Sequence, residues 1–171
     1  MDLTFEEYRK KIEKLNGANI ILADEEGKIY SFKANYGNKK RMLFGGSLER
    51  NELPHHAAQS ECEEEGGVYP TNASLKLVGV FMQRIAGIPD VRGYNFLYYS
   101  NEWQGKFWSS NEGDMPEPWT PKQIFARRDE FDTSYLRMIV HYLLWKENPV
   151  VSVKRLSEPV SILFEGELIT V

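Results

Sequence analysis

Apolar residues recur along this chain at spacings that separate helices from strands. Phe5, Tyr8, Ile12 and Leu15 fall on one helical stripe, and Thr4 with Glu7 fits a capping box. A helix is therefore predicted over residues 4–15, stopped by Asn16-Gly17. Residues 18–23 and 28–33 predict two strands folded as a hairpin around Asp24-Glu25-Glu26-Gly27. Asn35 to Lys40 is a polar loop, and Met42-Leu43-Phe44 a short strand ending at Gly45-Gly46. Pro54 suits a first helical turn and Gly66-Gly67 an end, so residues 54–65 predict a second helix.

Leu75 to Gln83 and Tyr94 to Ser100 are further strands, with Lys106-Phe107-Trp108 a shorter candidate. Asn111 to Pro121 is rich in Gly, Pro and acid, hence a loop. Asp132 or Thr133 can cap a helix whose apolar face is Tyr135, Leu136, Ile139, Val140, Leu143 and Leu144, ended by Pro149. Val150 to Val153 and Val160 to Phe164 are late strands. The irregular alternation predicts an α/β (α+β) fold, a mixed sheet between helices. With 171 residues, no internal repeat and no linker, residues 1–171 are expected to form one domain.

Composition changes this picture only at its margins. A net charge of −4 without a basic tract argues against a large nucleic-acid interface, while leaving room for a small phosphorylated ligand held through metal. The single cysteine, Cys62, excludes an intramolecular disulfide and is expected in the core. No leader-like segment and no long apolar run stands out, so a cytoplasmic protein without a membrane span is expected.

The candidate chemistry lies between Gly46 and Val68. On a helix, residues three and four apart share a face, so Glu61, Glu64 and Glu65 point the same way while Glu63 points elsewhere. Like charges at that spacing repel, which raises carboxyl pKa values, and a hard divalent cation relieves the repulsion. His55 and His56, adjacent in the same helix, diverge by about 100° and are expected at the surface rather than on a metal.

Gly46, Glu52, Glu61, Glu64, Glu65, Gly67 and the apolar Val68 stand at the spacing of the Nudix box, which residues 46–68 resemble. Ser60 departs from the pattern by replacing the family arginine that pairs with the glutamate equivalent to Glu52. Beyond the box, the order of elements resembles the MutT-type nucleoside triphosphate pyrophosphohydrolases. Asn111 to Trp119 and Phe131 to Tyr135 resemble the acidic loop and base-recognising segment of the oxidised-purine triphosphatases. Only Asp132 of their two adjacent aspartates is present, while Met42 and Ser47 stand for an asparagine and a lysine.

The resemblance implies an α-β-α sandwich and hydrolysis of a nucleoside diphosphate linked to another group, with Mg²⁺ (or Mn²⁺) as cofactor. The most direct case is a nucleoside triphosphate, canonical or modified, cut to monophosphate and pyrophosphate. It places the metal on Glu61, Glu64, Glu65 and the Gly45 carbonyl, with Glu52 as a further ligand or orienting group. The general base is left open between Glu64 and the loop carboxylates Glu112 and Asp114. Arg41, Arg84, Arg92, Lys39 and Lys40 are candidate phosphate clamps, and Trp119, Phe131, Tyr94 and Asp132 candidate base contacts. An ADP-ribose or dinucleotide hydrolase, a nucleotide sensor that does not cut, and an isoprenoid diphosphate isomerase are the other readings. The expected partner is a small nucleotide, and the chain a monomer or homodimer.

Overall fold

The computed structural model describes residues 4–85 and 88–171. In chain order its elements are α1 (Phe5–Glu13), β1 (Gly17–Leu22), β2 (Ile29–Lys33), β3 (Arg41–Met42), β4 (Phe44–Ser47), α2 (Pro54–Gly66), β5 (Val68–Pro70), β6 (Lys76–Ile85) and β7 (Ile88–Ser100). There follow β8 (Trp103–Gly105), β9 (Glu117–Trp119), α3 (Pro121–Ala126), a 3-10 turn (Arg128–Glu130), α4 (Thr133–Glu147), β10 (Ser152–Arg155), β11 (Ser161–Phe164) and β12 (Glu167–Thr170).

The central sheet has the order β10-β6-β7-β1-β4 and is mixed. β1 runs parallel to β7 and antiparallel to β4, and β10 runs parallel to β6. Strand side chains alternate between faces, so β1 is apolar on both. Ile21 joins a core with Leu97, Ile139 and Val140, whereas Ala18, Ile20 and Leu22 join a second core with Phe44, Ala57, Ala58 and Cys62. The first core takes α4 and α3 and the second takes α2, which gives the expected helix-sheet-helix layering.

Local chemistry explains the elements that match expectation. Thr4 Oγ1 accepts from the Glu7 N–H at 3.3 Å while the Glu7 carboxylate accepts from the Thr4 N–H at 2.8 Å, which caps α1. Of its predicted stripe, the Phe5 and Tyr8 side chains lie outside the described residues. Asp132 caps α4 by accepting from the Ser134 N–H at 2.9 Å. Gly67, at φ 77°, closes α2 in the left-handed conformation that favours glycine.

Other expectations fail for long-range reasons. β1 and β2 flank a tight turn, with the Asp24 carboxylate accepting from the N–H groups of Glu26 and Lys28, yet they form no ladder, and an isolated Ala23–Ile29 bridge is the pairing between them among the described residues. Both edges of β1 are taken by β4 and β7, so β2 leaves to build a separate sheet of order β3-β2-β9. The predicted 42–44 strand is divided at Leu43 into β3 and β4, and β4 continues through the two glycines. The 106–108 strand is replaced by β8, paired with β5. The 111–121 loop contains β9, and α3 and β12 have no counterpart among the predicted elements.

Candidate active site

α2 starts on Pro54 and lays a face of small residues, Ala57, Ala58 and Cys62, on Ile20 and Phe44. That docking brings the glutamates of its last turn against the Gly45-Gly46 segment of β4. The Glu65 carboxylate is buried and accepts from the Gly45 N–H at 2.9 Å. Glu61 lies across Gly46, where a Cβ would sit 1.9 Å from Glu61 Oε1. At Gly45 a Cβ would meet Asn19 Nδ2 at 2.1 Å. Close approach therefore requires both glycines, and Gly45 in addition adopts φ 150°, which a side chain disfavours.

Burial drives the Glu65 carboxyl up to about 9; the Gly45 N–H opposes this, and the charges of Glu61, Glu112 and Glu64 add to it. Glu61 is pushed to about 7, first by burial and then by Glu64, Glu112, Glu52 and Glu49. Among the described residues none of Glu61, Glu64 and Glu65 forms an ion pair, and no three acidic, histidine or cysteine side chains stand as a ready-made ligand set. The donors on offer are all oxygens, so the chemistry fits a hard cation such as Mg²⁺ or Mn²⁺. Cys62 is fully buried, as expected of a core position.

The remaining candidates separate into those near this face and those away from it. Glu112, on the acidic loop, acts electrostatically on Glu61, Glu65 and Tyr36 and so faces the site. Asp114 is held by its backbone to the Lys33 carbonyl at 3.0 Å and exerts no such effect. Glu52 lacks the arginine that Ser60 replaces, and its carboxylate instead accepts from the Glu49 N–H at 2.9 Å.

Arg41, Trp119 and Phe131 are drawn into a structural corner. Arg41 pairs with Glu117 and lies 4.4 Å over the Trp119 ring, with Arg127 4.7 Å over the same ring and Phe131 edge-on at 5.5 Å. Trp119 and Phe131 are buried, so the stacking role expected of them has no free surface, and Arg41 is not free to clamp phosphate. Asp132 is occupied as the α4 cap, and its other oxygen accepts from Asn38 Nδ2 at 3.1 Å. Arg84 and Arg92 are cross-strand neighbours on β6 and β7; Arg84 lines an open groove while Arg92 contacts Met82 Sδ at 3.7 Å. Lys39 and Lys40 stay on the loop before β3, and Tyr94 is exposed on β7.

A small polar pocket of about 130 Å³ adjoins Gly45-Gly46, and none of the sequence candidates for the base lies in it. Three of its four side-chain amides come from strands, Asn19, Gln83 and Asn95; the fourth, Asn16, directly precedes β1, and Tyr135 stands beside them. Asn19 is buried and donates to the Phe44 carbonyl at 3.3 Å, while Asn95 Oδ1 is buried without a partner. An asparagine inside the apolar run Gly17–Leu22 was the one visible signal for this pocket.

The arrangement of a mixed sheet, a glycine-rich strand and a glutamate helix has counterparts among solved structures. The MutT protein of Bacillus halodurans superposes with a TM-score of 0.58 at 20% identity, over 72% of this chain and 78% of that one. This is a Nudix fold. A Nudix hydrolase from Nitrosomonas europaea matches at 0.59 and 13% identity, over 82% of this chain and 78% of its own. A C. elegans Ap4A hydrolase matches at 0.53 and 14%, over 77% and 96%. No family model and no curated protein matches the sequence. α2 carries the glutamates whose spacing resembles the Nudix box, and among the described residues no helix is long and apolar enough to cross a membrane.

Proposed function

We propose that this chain is a divalent-metal-dependent hydrolase of phosphoanhydride bonds, acting on a nucleoside diphosphate linked to a further group. The most direct substrate is a nucleoside triphosphate, released as monophosphate and pyrophosphate. The observation that carries this reading is the pair Glu61 and Glu65, pressed against Gly45-Gly46, with burial and neighbouring carboxylates pushing both carboxyl groups above their ordinary value and no cation paired with either among the described residues. A structural role alone would be better served by neutral side chains there.

Glu61, Glu64 and Glu65, with the Gly45 carbonyl, are the residues that would hold Mg²⁺ or Mn²⁺. When bound, such an ion neutralises phosphate charge and promotes attack by water. Glu112 faces the cluster and is the proton acceptor best supported, with Asp114 and Glu64 behind it. Asn19, Gln83 and Asn95 offer amide donors and acceptors suited to the edge of a base. The MutT and Ap4A hydrolase likenesses support nucleotide chemistry without choosing between triphosphate and dinucleotide substrates. A lone buried cysteine fits a reducing cytoplasm.

A second reading, a nucleotide sensor that does not cut, draws on Glu52, whose carboxylate is folded onto its own loop. Release of phosphate and pyrophosphate from a nucleotide panel, with Mg²⁺ or Mn²⁺ and with chelator, separates the two. The panel spans canonical and oxidised triphosphates, ADP-ribose, dinucleoside polyphosphates and NADH. Metal-dependent turnover supports the hydrolase. Stabilisation by one nucleotide without any turnover supports the sensor.

A further inference from the structure

Beside the carboxylate face, α1 and the Ser47–Glu52 segment enclose an open groove of about 1340 Å³. Lys10 and Lys11 enter it from α1, Lys14 from the cap at its C-terminus, Arg50 from the loop and Arg84 from β6. Positions 10, 11 and 14 lie on one side of the helix, so the three ammonium groups share an exposure. Among the described residues none of these five cations forms an ion pair. Three carboxylates also border the groove: Glu13 is paired with Arg9 at 3.2 Å, Glu52 is held on the Glu49 N–H, and Glu49 itself stands against the five cations, which still outnumber the acids.

A protein of net charge −4 thus concentrates free positive charge in one concavity. The groove is not remote from the site. Glu49 and Glu52 on its wall are close enough to act on Glu61, and Lys14, Asn16, Ser47 and Gln83 line both the groove and the amide pocket. Ser47, directly after Gly45-Gly46, carries no charge of its own, so cations for phosphate must come from elsewhere in space.

We propose that this groove is a binding site for a polyphosphate-type anion. On the hydrolase reading, on which this placement rests, the anion is the phosphate-bearing half of the substrate beyond the bond that breaks. Clustered ammonium and guanidinium groups bind phosphate oxygens through charge-assisted hydrogen bonds, and focus the field where several converge. Substrates with a longer phosphate chain are then bound more tightly than those ending at the second phosphate.

Isothermal titration of the full chain with inorganic tripolyphosphate in chelator tests this without turnover. The wild type is expected to bind with an affinity that falls steeply as salt rises. The combined Lys10→Ser, Lys11→Ser and Lys14→Ser variant is expected to lose about tenfold or more in affinity. Glu64→Gln is expected to keep it. Absent binding by the wild type, or equal affinity in the triple variant, overturns the proposal. If circular dichroism shows that the triple variant has lost α1, Arg50→Ala decides: weakened binding supports the groove and unchanged binding overturns it. Metal-dependent turnover with no effect of these variants on tripolyphosphate removes the groove alone. Cation-dependent binding with no turnover of any nucleotide removes the hydrolase reading and leaves the anion site.

Discussion

The last turn of α2 and the corner around Trp119 both contain charged groups close together, and they behave in opposite ways. At the corner, Arg41 finds Glu117 and the Trp119 ring, Asp132 finds Asn38 and the α4 N-terminus, and Phe131 finds the core. At the end of α2, Glu61 and Glu65 find other carboxylates, burial and a single N–H. Charge paired with opposite charge marks a place where the fold holds itself together, although Arg41 Nε and Trp119 Nε1 are buried there without a hydrogen-bond partner among the described residues. Carboxyl groups crowded together, raised by burial and held in place by packing mark a place that something else must complete. The difference reassigns the corner from substrate recognition to structure, although its sequence resembles a base-recognising segment.

Substitutions at the two regions sharpen this contrast. A large effect is expected for Glu61→Gln, which should lower kcat by about a thousandfold or more while leaving thermal stability above pH 7 equal or raised, since it removes a half-buried carboxyl that ionises against its neighbours. Steady-state kinetics with melting curves checks both halves. Trp119→Ala should do the reverse, costing about 3–5 kcal/mol of stability while KM of the surviving folded fraction stays near wild type. Urea titration with kinetics below the midpoint reads this, and a large rise in KM at full folding would return Trp119 to the site.

Metal-free stability should fall with pH across a definable window. Above the ordinary carboxyl value of 4.5 the unfolded chain releases its protons, while the folded chain keeps them on Glu61 to about 7 and on Glu65 to about 9. Stability is therefore lost as pH rises through that range. Added Mg²⁺ should recover more of it at pH 8 than at pH 5, because the ion binds the ionised form. Melting temperatures at several pH values, with Mg²⁺ and with chelator, measure both trends.

Asn95→Leu should leave the fold intact and narrow the spread of kcat/KM across bases by about tenfold, as expected for loss of one base contact. The smallest effect belongs to Ser60→Arg. An exposed ion pair with Glu52 contributes ~0–1 kcal/mol, so turnover should change by less than about fivefold. A much larger gain would mean that the native serine holds the enzyme back and would favour the sensor.

What could be seen in the sequence divides along the same line as the molecule. The glutamate face was legible because Glu61, Glu64 and Glu65 share one helix, where spacing alone sets direction, and because Pro54 and Gly67 bound that helix locally. Thr4 and Asp132 announced their helices for the same reason. The amide pocket was not legible, because Asn19, Gln83 and Asn95 meet only through the order β6-β7-β1 of the sheet. Nor was the departure of β2 into its own sheet, which depends on β4 and β7 having already filled both edges of β1. The burial of Trp119 and Phe131 was not legible either, because an aromatic near a resembling motif looks the same in sequence whether its ring is free or covered.

The claim at the centre of this account is that the carboxylate face of α2 performs metal-dependent hydrolysis. The most direct test sets Glu64→Gln beside the wild type on the best nucleotide of the panel, with Mg²⁺ and with chelator. Glu64 is exposed and glutamine matches its shape, so circular dichroism and melting should be unchanged. The account predicts metal-dependent product release by the wild type and none above background by the variant. Turnover by Glu64→Gln at near the wild-type rate would contradict it.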